Sequence, residues 1–217
     1  MWCTELGASM TWALSNLCRG EPAPSMEMVD PILRHLRKLL SIERCEPLAS
    51  ICWACVYLVR DGDSELRSVV AAIAVERLIE IPSQSEHANL IGSCLKALAT
   101  LLERNSEASE SDASKTAFRQ MLVSRGLLRV LSKRLRFPKA GVRNLVCNIV
   151  ERLLAGSGSP VESVLADKDL CQELHTLSTR EDVHEAVQAA YQALLRHGWK
   201  PPDEQAPRAA DLGTLPS

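Results

Sequence analysis

The chain has 217 residues, of which 46% are hydrophobic, 24% are charged and 4% are aromatic, and its formal net charge is −2 at pH 7. This balance gives no excess of positive charge for binding a nucleic acid or an anionic membrane surface. No apolar run reaches the roughly 18 residues of a membrane-spanning helix, and the first ten residues, MWCTELGASM, lack a signal peptide's basic start and apolar centre. We therefore expect neither nucleic acid nor membrane as a partner, and a cytoplasmic and nuclear location.

Short amphipathic segments separated by Pro, Gly, Ser and Asp follow one another along the chain. In chain order, the spacing of apolar residues predicts helices over 5–19, 29–40, 46–60, 64–71, 73–81, 86–103, 140–154 and 181–197. No alternating strand pattern and no hairpin signal accompany them. The sequence therefore predicts an all-α protein in which a short, a medium and a long helix recur.

The long helices repeat with a period near 41 residues. Aligned on Trp12, the equivalent positions in the later long helices are Trp53, Lys96, Asn148 and Ala189. The widest interval, between Lys96 and Asn148, contains a stretch rich in Ser, Glu and Asp at 105–115, and without this insertion it also becomes 41 residues. Three helices per unit at this period predict an armadillo-type or HEAT-type solenoid, in which each unit buries one face against the next.

Residues 10–62 resemble a known family. WALSNLCRGEPAPS, from residue 12, is followed by LASICWACVYLVRDG, from residue 48. The Trp-x-x-x-Asn signature, Leu-Cys-Arg-Gly, the Pro-rich elbow and Cys-Trp-Ala-x-x-Tyr-Leu together look like the middle armadillo repeats of importin alpha, the adaptor that binds nuclear localisation signals. Over 63–198 the resemblance weakens to helix pattern and phrases such as VCNIVERLLAG.

The resemblance implies the domain organisation as well as the fold. We expect a right-handed armadillo-repeat superhelical solenoid of about four to five repeats over residues 1–198, with the first repeat lacking its early helices. The acidic, Ser-rich stretch 105–115 is expected to be a loop insertion. Residues 199–217 are Pro-rich and poorly amphipathic, and we expect them to form a disordered tail.

The Trp and Asn of the signature would suit the binding of an extended basic peptide. Residues at i and i+4 point off one helix face. An Asn amide can satisfy both kinds of unpaired backbone group in an extended peptide. A Trp indole beside it can pack the stem of a Lys whose ammonium reaches the ring or a nearby acid. The predicted peptide-binding residues are Trp12, Asn16, Arg19, Glu46, Trp53, Tyr57 and Lys96.

The chain also departs from the importin alpha pattern. Importin alphas carry a basic N-terminal segment that binds importin beta, and this sequence shows none, so importin beta is not an expected partner. Ser50 stands where the family has an acid, whereas Lys96 matches a basic position of the family. Asn148 with Arg152 stands in place of a later Trp and Asn pair, and because Arg152 would repel a basic peptide we expect the minor signal-binding site to be lost. The chain would then be either a partial gene product or a degenerate paralogue.

Two other classes of function compete with signal-peptide binding. The first is a generic armadillo scaffold for another protein partner, favoured by the cations Arg19, Lys96 and Arg152 on the predicted ladder of long helices. The second is a thiol oxidoreductase using Cys52 and Cys55, but both lie within a helix instead of at its start, where a reactive Cys is expected. Without a phosphate loop, a zinc-type Cys/His cluster or a nucleophile–His pair, we expect no enzyme activity, no cofactor and no metal.

Overall fold

The computed structural model describes residues 4–20, 24–104, 111–180 and 183–202, and every regular element among them is an α-helix. In chain order the helices are α1 (Thr4–Cys18), α2 (Met26–Leu39), α3 (Cys45–Asp61), α4 (Ser64–Gln84), α5 (Ala88–Arg104), α6 (Asp112–Ser124), α7 (Leu127–Leu135), α8 (Ala140–Leu154), α9 (Ser159–Ala166), α10 (Lys168–Ser178) and α11 (Glu185–Arg196). The prediction of an all-α protein is confirmed. None of these helices is both long enough and apolar enough to cross a membrane.

The helices that carry the aligned positions form a continuous row. Helix α1 packs on α3, α3 on α5, α5 on α8 and α8 on α11. The remaining helices pack beside this row, with α4 against α2, α3, α5 and α7 and with α10 against α7, α9 and α11. Because each row helix contacts the next one along, apolar residues from all repeats join in one core. The row is the stack that the 41-residue period predicted.

Several helix boundaries differ from the sequence prediction, and α6, α7, α9 and α10 were not predicted individually. The two largest differences concern α4 and α11. Helix α4 is continuous over Ser64–Gln84, where two helices, 64–71 and 73–81, were predicted. Ala72 between them is a strong helix former and supplies no break. Helix α11 begins at Glu185 instead of 181, because His184 caps it by accepting a hydrogen bond at Nδ1 from the Ala186 N–H at 3.1 Å.

The predicted insertion and tail are each described only in part. Residues 105–110 of the insertion lie outside the described residues. Ser111 caps α6, accepting from the Ser114 N–H at 3.2 Å, so that 112–115 belong to a helix. At the start of the predicted tail, the Trp199 ring lies 6.1 Å from Tyr191 and 5.9 Å from His175, centroid to centroid. Residues 203–217 lie outside the described residues.

The cysteines inside the helical runs are core residues, as the sequence indicated. Cys18, Cys52, Cys55, Cys94, Cys147 and Cys171 are all buried and reduced, whereas Cys45 is only half-buried. The Sγ atoms of Cys52 on α3 and Cys94 on α5 lie 3.5 Å apart, where these two row helices meet. Burial raises the pKa of Cys18 to about 11 and the pKa of Cys147 and of Cys171 to about 12. Burial also raises the pKa of Cys55, so this thiol is not activated as a nucleophile.

These thiols should differ sharply in reactivity. In a Cys3→Ser variant at pH 8, iodoacetamide should modify Cys45 rapidly and the six buried cysteines only after unfolding in urea. The reason is that the reagent must reach the sulfur atom, and the packed core covers all six buried thiols. Mass spectrometry of timed samples gives the number of modified thiols. Rapid modification of two or more thiols in the native protein would contradict the burial of these six cysteines.

Candidate peptide-binding groove

One face of α3 carries a stripe of side chains at helical spacing. Glu46, Ser50, Trp53, Tyr57 and Arg60 follow one another at intervals of three and four residues, which places them on one side of the helix. The Trp53 side chain is 39% exposed. Its ring stacks on that of Tyr57, with centroids 5.9 Å apart and an interplanar angle of 28°. The stripe therefore offers a fixed aromatic surface to solvent, with the carboxylate of Glu46 two turns before Trp53.

Two guanidinium groups cover the ring of Tyr57. Arg19 lies 5.9 Å from the ring centroid and Arg60 lies 5.2 Å from it. Arg60 also donates to both carboxylate oxygens of Asp61, at 2.7 and 2.6 Å. Tyr57 is therefore half-buried beneath cations, and its faces are less available to a ligand than the sequence suggested. Of the two aromatic rings on α3, Trp53 is the better candidate for a ligand contact.

The contact between Arg19 and Tyr57 also orients α1 relative to α3. Trp12, Asn16 and Arg19 form one stripe, at i, i+4 and i+7, just as Trp53, Tyr57 and Arg60 do. Because Arg19 reaches Tyr57, the two stripes point to the same side of the row. The Trp12 side chain is 64% exposed there. The Asn16 amide donates to the Trp12 carbonyl at 3.1 Å, so its nitrogen is occupied within its own helix.

A groove of about 820 Å³ lies across α3, α5 and the start of α8. Three of the predicted site residues line it together, namely Glu46, Trp53 and Lys96. Trp12, Asn16, Arg19 and Tyr57 are not among its lining residues. The predicted set thus divides into three residues inside the groove and four residues farther along the same face, on α1, just after α1 and on α3.

The groove also contains residues that the sequence reasoning missed. Lys139 lines it from the position just before α8, and its ammonium lies 3.5 Å from the side-chain oxygen of Asn89 at the start of α5. His87, one residue before α5, lines it as well. The sequence did contain a signal for these two residues, because a basic residue immediately precedes each of the helices α3, α5 and α8. These residues are Arg44, His87 and Lys139.

Arg152 does not present the unpaired positive charge that was expected of it. Its guanidinium lies 3.4 Å from a carboxylate oxygen of Glu103 on the neighbouring row helix, in a half-exposed ion pair. The Arg119 Nε–H donates to the carbonyl of Arg152 at 3.1 Å and holds this end of α8 in place. The expected repulsion of a basic peptide by Arg152 therefore needs correction, since Glu103 offsets its charge.

The sequence is similar to importin alpha subunits over part of its length, although no protein-family model matches the chain. Importin subunit alpha-3 of Arabidopsis thaliana is 38% identical over 81 residues, which cover 37% of this chain and 15% of that protein. Importin subunit alpha-1a of Oryza sativa subsp. japonica is 28% identical over 155 residues, which cover 71% of this chain and 28% of that protein. The chain thus spans less than a third of the length of either relative.

Solved structures with a similar fold include a designed armadillo repeat protein. A designed armadillo repeat protein in complex with the peptide (KR)4 superimposes with a TM-score of 0.69 at 19% identity, covering 90% of this chain and 77% of that one. An engineered protein matches equally well, with a TM-score of 0.69 at 20% identity over 91% of this chain and 76% of that one. At such low identity these matches establish the fold alone. The chain therefore has the predicted all-α armadillo-repeat fold, and part of its sequence is importin-alpha-like.

Proposed function

We propose that the chain binds extended Lys/Arg-rich peptides of the nuclear-localisation-signal type, as an importin-alpha-like adaptor of the cytoplasm and nucleus. One observation carries the proposal: the exposed face of Trp53 and the carboxylate of Glu46, both on α3, line the same groove. This groove runs across the row helices α3, α5 and α8. The partial similarity to importin alpha subunits supports it. So does the fold shared with a designed protein whose structure contains a (KR)4 peptide.

The groove suits an extended chain because of its repeat spacing. Packed helices lie roughly 8–10 Å apart, and an extended peptide rises about 3.3 Å per residue. A bound peptide therefore meets a new row helix about every three residues. A lysine above α3 would lay its methylene stem along the Trp53 ring and direct its ammonium towards Glu46, two turns earlier on the same stripe.

Asn16 would act on the backbone of the peptide, one helix away from Trp53. Its nitrogen now donates to the Trp12 carbonyl, and among the described residues nothing donates to its side-chain oxygen. A peptide N–H can bond to that oxygen directly, whereas a peptide carbonyl would have to replace the intrahelical bond. None of the equivalent positions farther along is an amide; they are Tyr57, Thr100, Arg152 and Ala193. We therefore expect a single clamp and a dissociation constant on the order of tens of micromolar or weaker.

A titration with a fluorescent Lys-rich peptide tests this function. Trp53→Ala should weaken binding about fivefold, because an exposed cation–π contact contributes about 0.5–1 kcal/mol in addition to the apolar contact of the stem. Glu46→Gln should weaken it by a similar factor and reduce its salt sensitivity. Glu65→Gln is the matched control. Like Glu46, Glu65 is an exposed acid in the first turn of its helix, which is α4, but it does not line the groove.

The outcome also separates this function from the generic scaffold. If Trp53→Ala and Glu46→Gln bind the peptide as tightly as the unmodified protein does, the groove is not the binding site. If the unmodified protein fails to bind even at about 1 mM, a scaffold for a different partner becomes the better interpretation.

A further inference from the structure

The groove is positively charged on its α5 and α8 side. Among the described residues, Glu46 is the only carboxylate that lines the groove, and it belongs to α3. The two lysines that line the groove are Lys96 on α5 and Lys139 just before α8. A peptide that carried only lysines and arginines would meet a carboxylate at one end of this groove and two ammonium groups at the other.

Neither ammonium is neutralised by an acid in the described part of the chain. No salt bridge joins Lys96 or Lys139 to a described Asp or Glu, and the partner of Lys139 is the uncharged amide oxygen of Asn89, at 3.5 Å. Residues 87–89, 139, 141 and 142, where α5 and α8 begin, line this side of the groove. The partial positive charge of two helix N-termini adds to that of the lysines. The positive potential is therefore available to a ligand.

The charges of the groove follow one another across the row of helices. Glu46 and Trp53 stand on α3, Lys96 on the next row helix, and Lys139 at the start of the one after it. With row helices roughly 8–10 Å apart and about 3.3 Å per residue of extended chain, each step of one helix corresponds to about three peptide residues. From one row helix to the next, the groove thus presents a carboxylate on α3, an ammonium group on α5 and a second ammonium group just before α8.

We propose that this groove selects a mixed-charge extended peptide, with a Lys held by Trp53 and Glu46 and carboxylates three and six residues away held by Lys96 and Lys139. The inference rests on the proposed function, because it assigns a sequence preference to the same peptide-binding groove. Acidic side chains three residues apart in a peptide would satisfy both ammonium groups. Lysines at those two positions would instead face like charges, which is how a site discriminates against the wrong ligand.

Four fluorescent seven-residue peptides with blocked termini test the preference. They are KSAESAE, its reversal EASEASK, the neutral counterpart KSAQSAQ and the basic counterpart KSAKSAK. One of the two mixed-charge peptides should bind about fivefold more tightly than KSAQSAQ, as expected for two exposed ion pairs, and more tightly still than KSAKSAK. The difference should diminish in high salt, because exposed charges are screened.

A pair of double variants identifies the source of the preference. Lys96→Gln with Lys139→Gln should remove the advantage of the mixed-charge peptide over KSAQSAQ. Lys38→Gln with Lys168→Gln changes the net charge equally at exposed sites outside the groove and should leave the advantage intact. Circular dichroism confirms that each variant is folded.

The possible results separate the two proposals. If KSAKSAK binds most tightly and Trp53→Ala weakens it, the proposed function stands and the mixed-charge preference is overturned. The preference is also overturned if both double variants keep the advantage of the mixed-charge peptide or both lose it. If none of the four peptides binds at about 1 mM, both proposals fail.

Discussion

Replacing Arg134 with methionine should lower the free energy of unfolding by about 3 kcal/mol, because a hydrogen-bonded buried cation would be lost. Arg134 stands in the last turn of α7 with its side chain only 2% exposed. Its Nη2 donates to the Ser85 carbonyl at 2.7 Å and its Nε donates to the Pro82 carbonyl. Its Nη1 lies 3.2 Å from a carboxylate oxygen of Glu86.

The cost arises from the groups that the guanidinium now satisfies. Pro82 and Ser85 belong to the C-terminal end of α4, whose last carbonyls have no partner within the helix. Arg134 supplies those partners from another repeat and thereby ties α7 to the end of α4. Methionine would keep much of the apolar stem but leave two carbonyls without donors, and a buried unpaired acceptor costs about 1–3 kcal/mol.

Arg136→Met is the matched control. Arg136 lies two residues on and pairs with Glu173 at 2.9 Å, but its side chain is 64% exposed. A surface ion pair of this kind contributes about 0–1 kcal/mol. Urea unfolding followed by circular dichroism at the helix band compares the two variants. If Arg134→Met were no less stable than Arg136→Met, the contacts of Arg134 would not be a significant tie between the repeats.

The long helices could be predicted from the sequence, whereas the tie made by Arg134 could not. Trp12 and Trp53 recur at the repeat period, and that period alone gives the order in which the row helices stack. In sequence, Arg134 is an ordinary basic residue near the end of a short helix. Its partners lie 48–52 residues away, so its role depends on how α7 meets α4, which no local pattern encodes.

The candidate groove was predictable to a similar extent. Helical spacing on α3, together with the period, indicated that Glu46, Trp53 and Lys96 would face one way, and they do line one groove. Lys139 was missed because it precedes its helix instead of lying on the aligned stripe. The covering of Tyr57 by Arg19 was missed because a cation–π contact between neighbouring helices depends on side-chain geometry.

Replacing Gly62 with alanine should destabilise the protein by about 1–3 kcal/mol, the usual cost of forcing extra atoms into a packed site. Gly62 ends α3, and its N–H donates to the Leu58 carbonyl at 3.1 Å. Its φ of −75° suits any residue, so the demand for glycine at this position is steric. A Cβ would overlap the Leu58 carbonyl oxygen and lie 2.7 Å from Cδ2 of Leu66, a buried residue in the first turns of α4.

Gly92→Ala makes the contrasting control, because it should change stability in the opposite direction. Gly92 lies inside α5, and a Cβ built there meets nothing within 4 Å. Alanine in a helix interior is more stable than glycine by about 0.5–1 kcal/mol. In urea unfolding, the Gly62→Ala midpoint should therefore fall below that of the unmodified protein and the Gly92→Ala midpoint should rise above it. A Gly62→Ala variant as stable as the unmodified protein would mean that the junction between α3 and α4 can relax, because only a shift of Leu66 and of the Leu58 carbonyl could make room for the added methyl group.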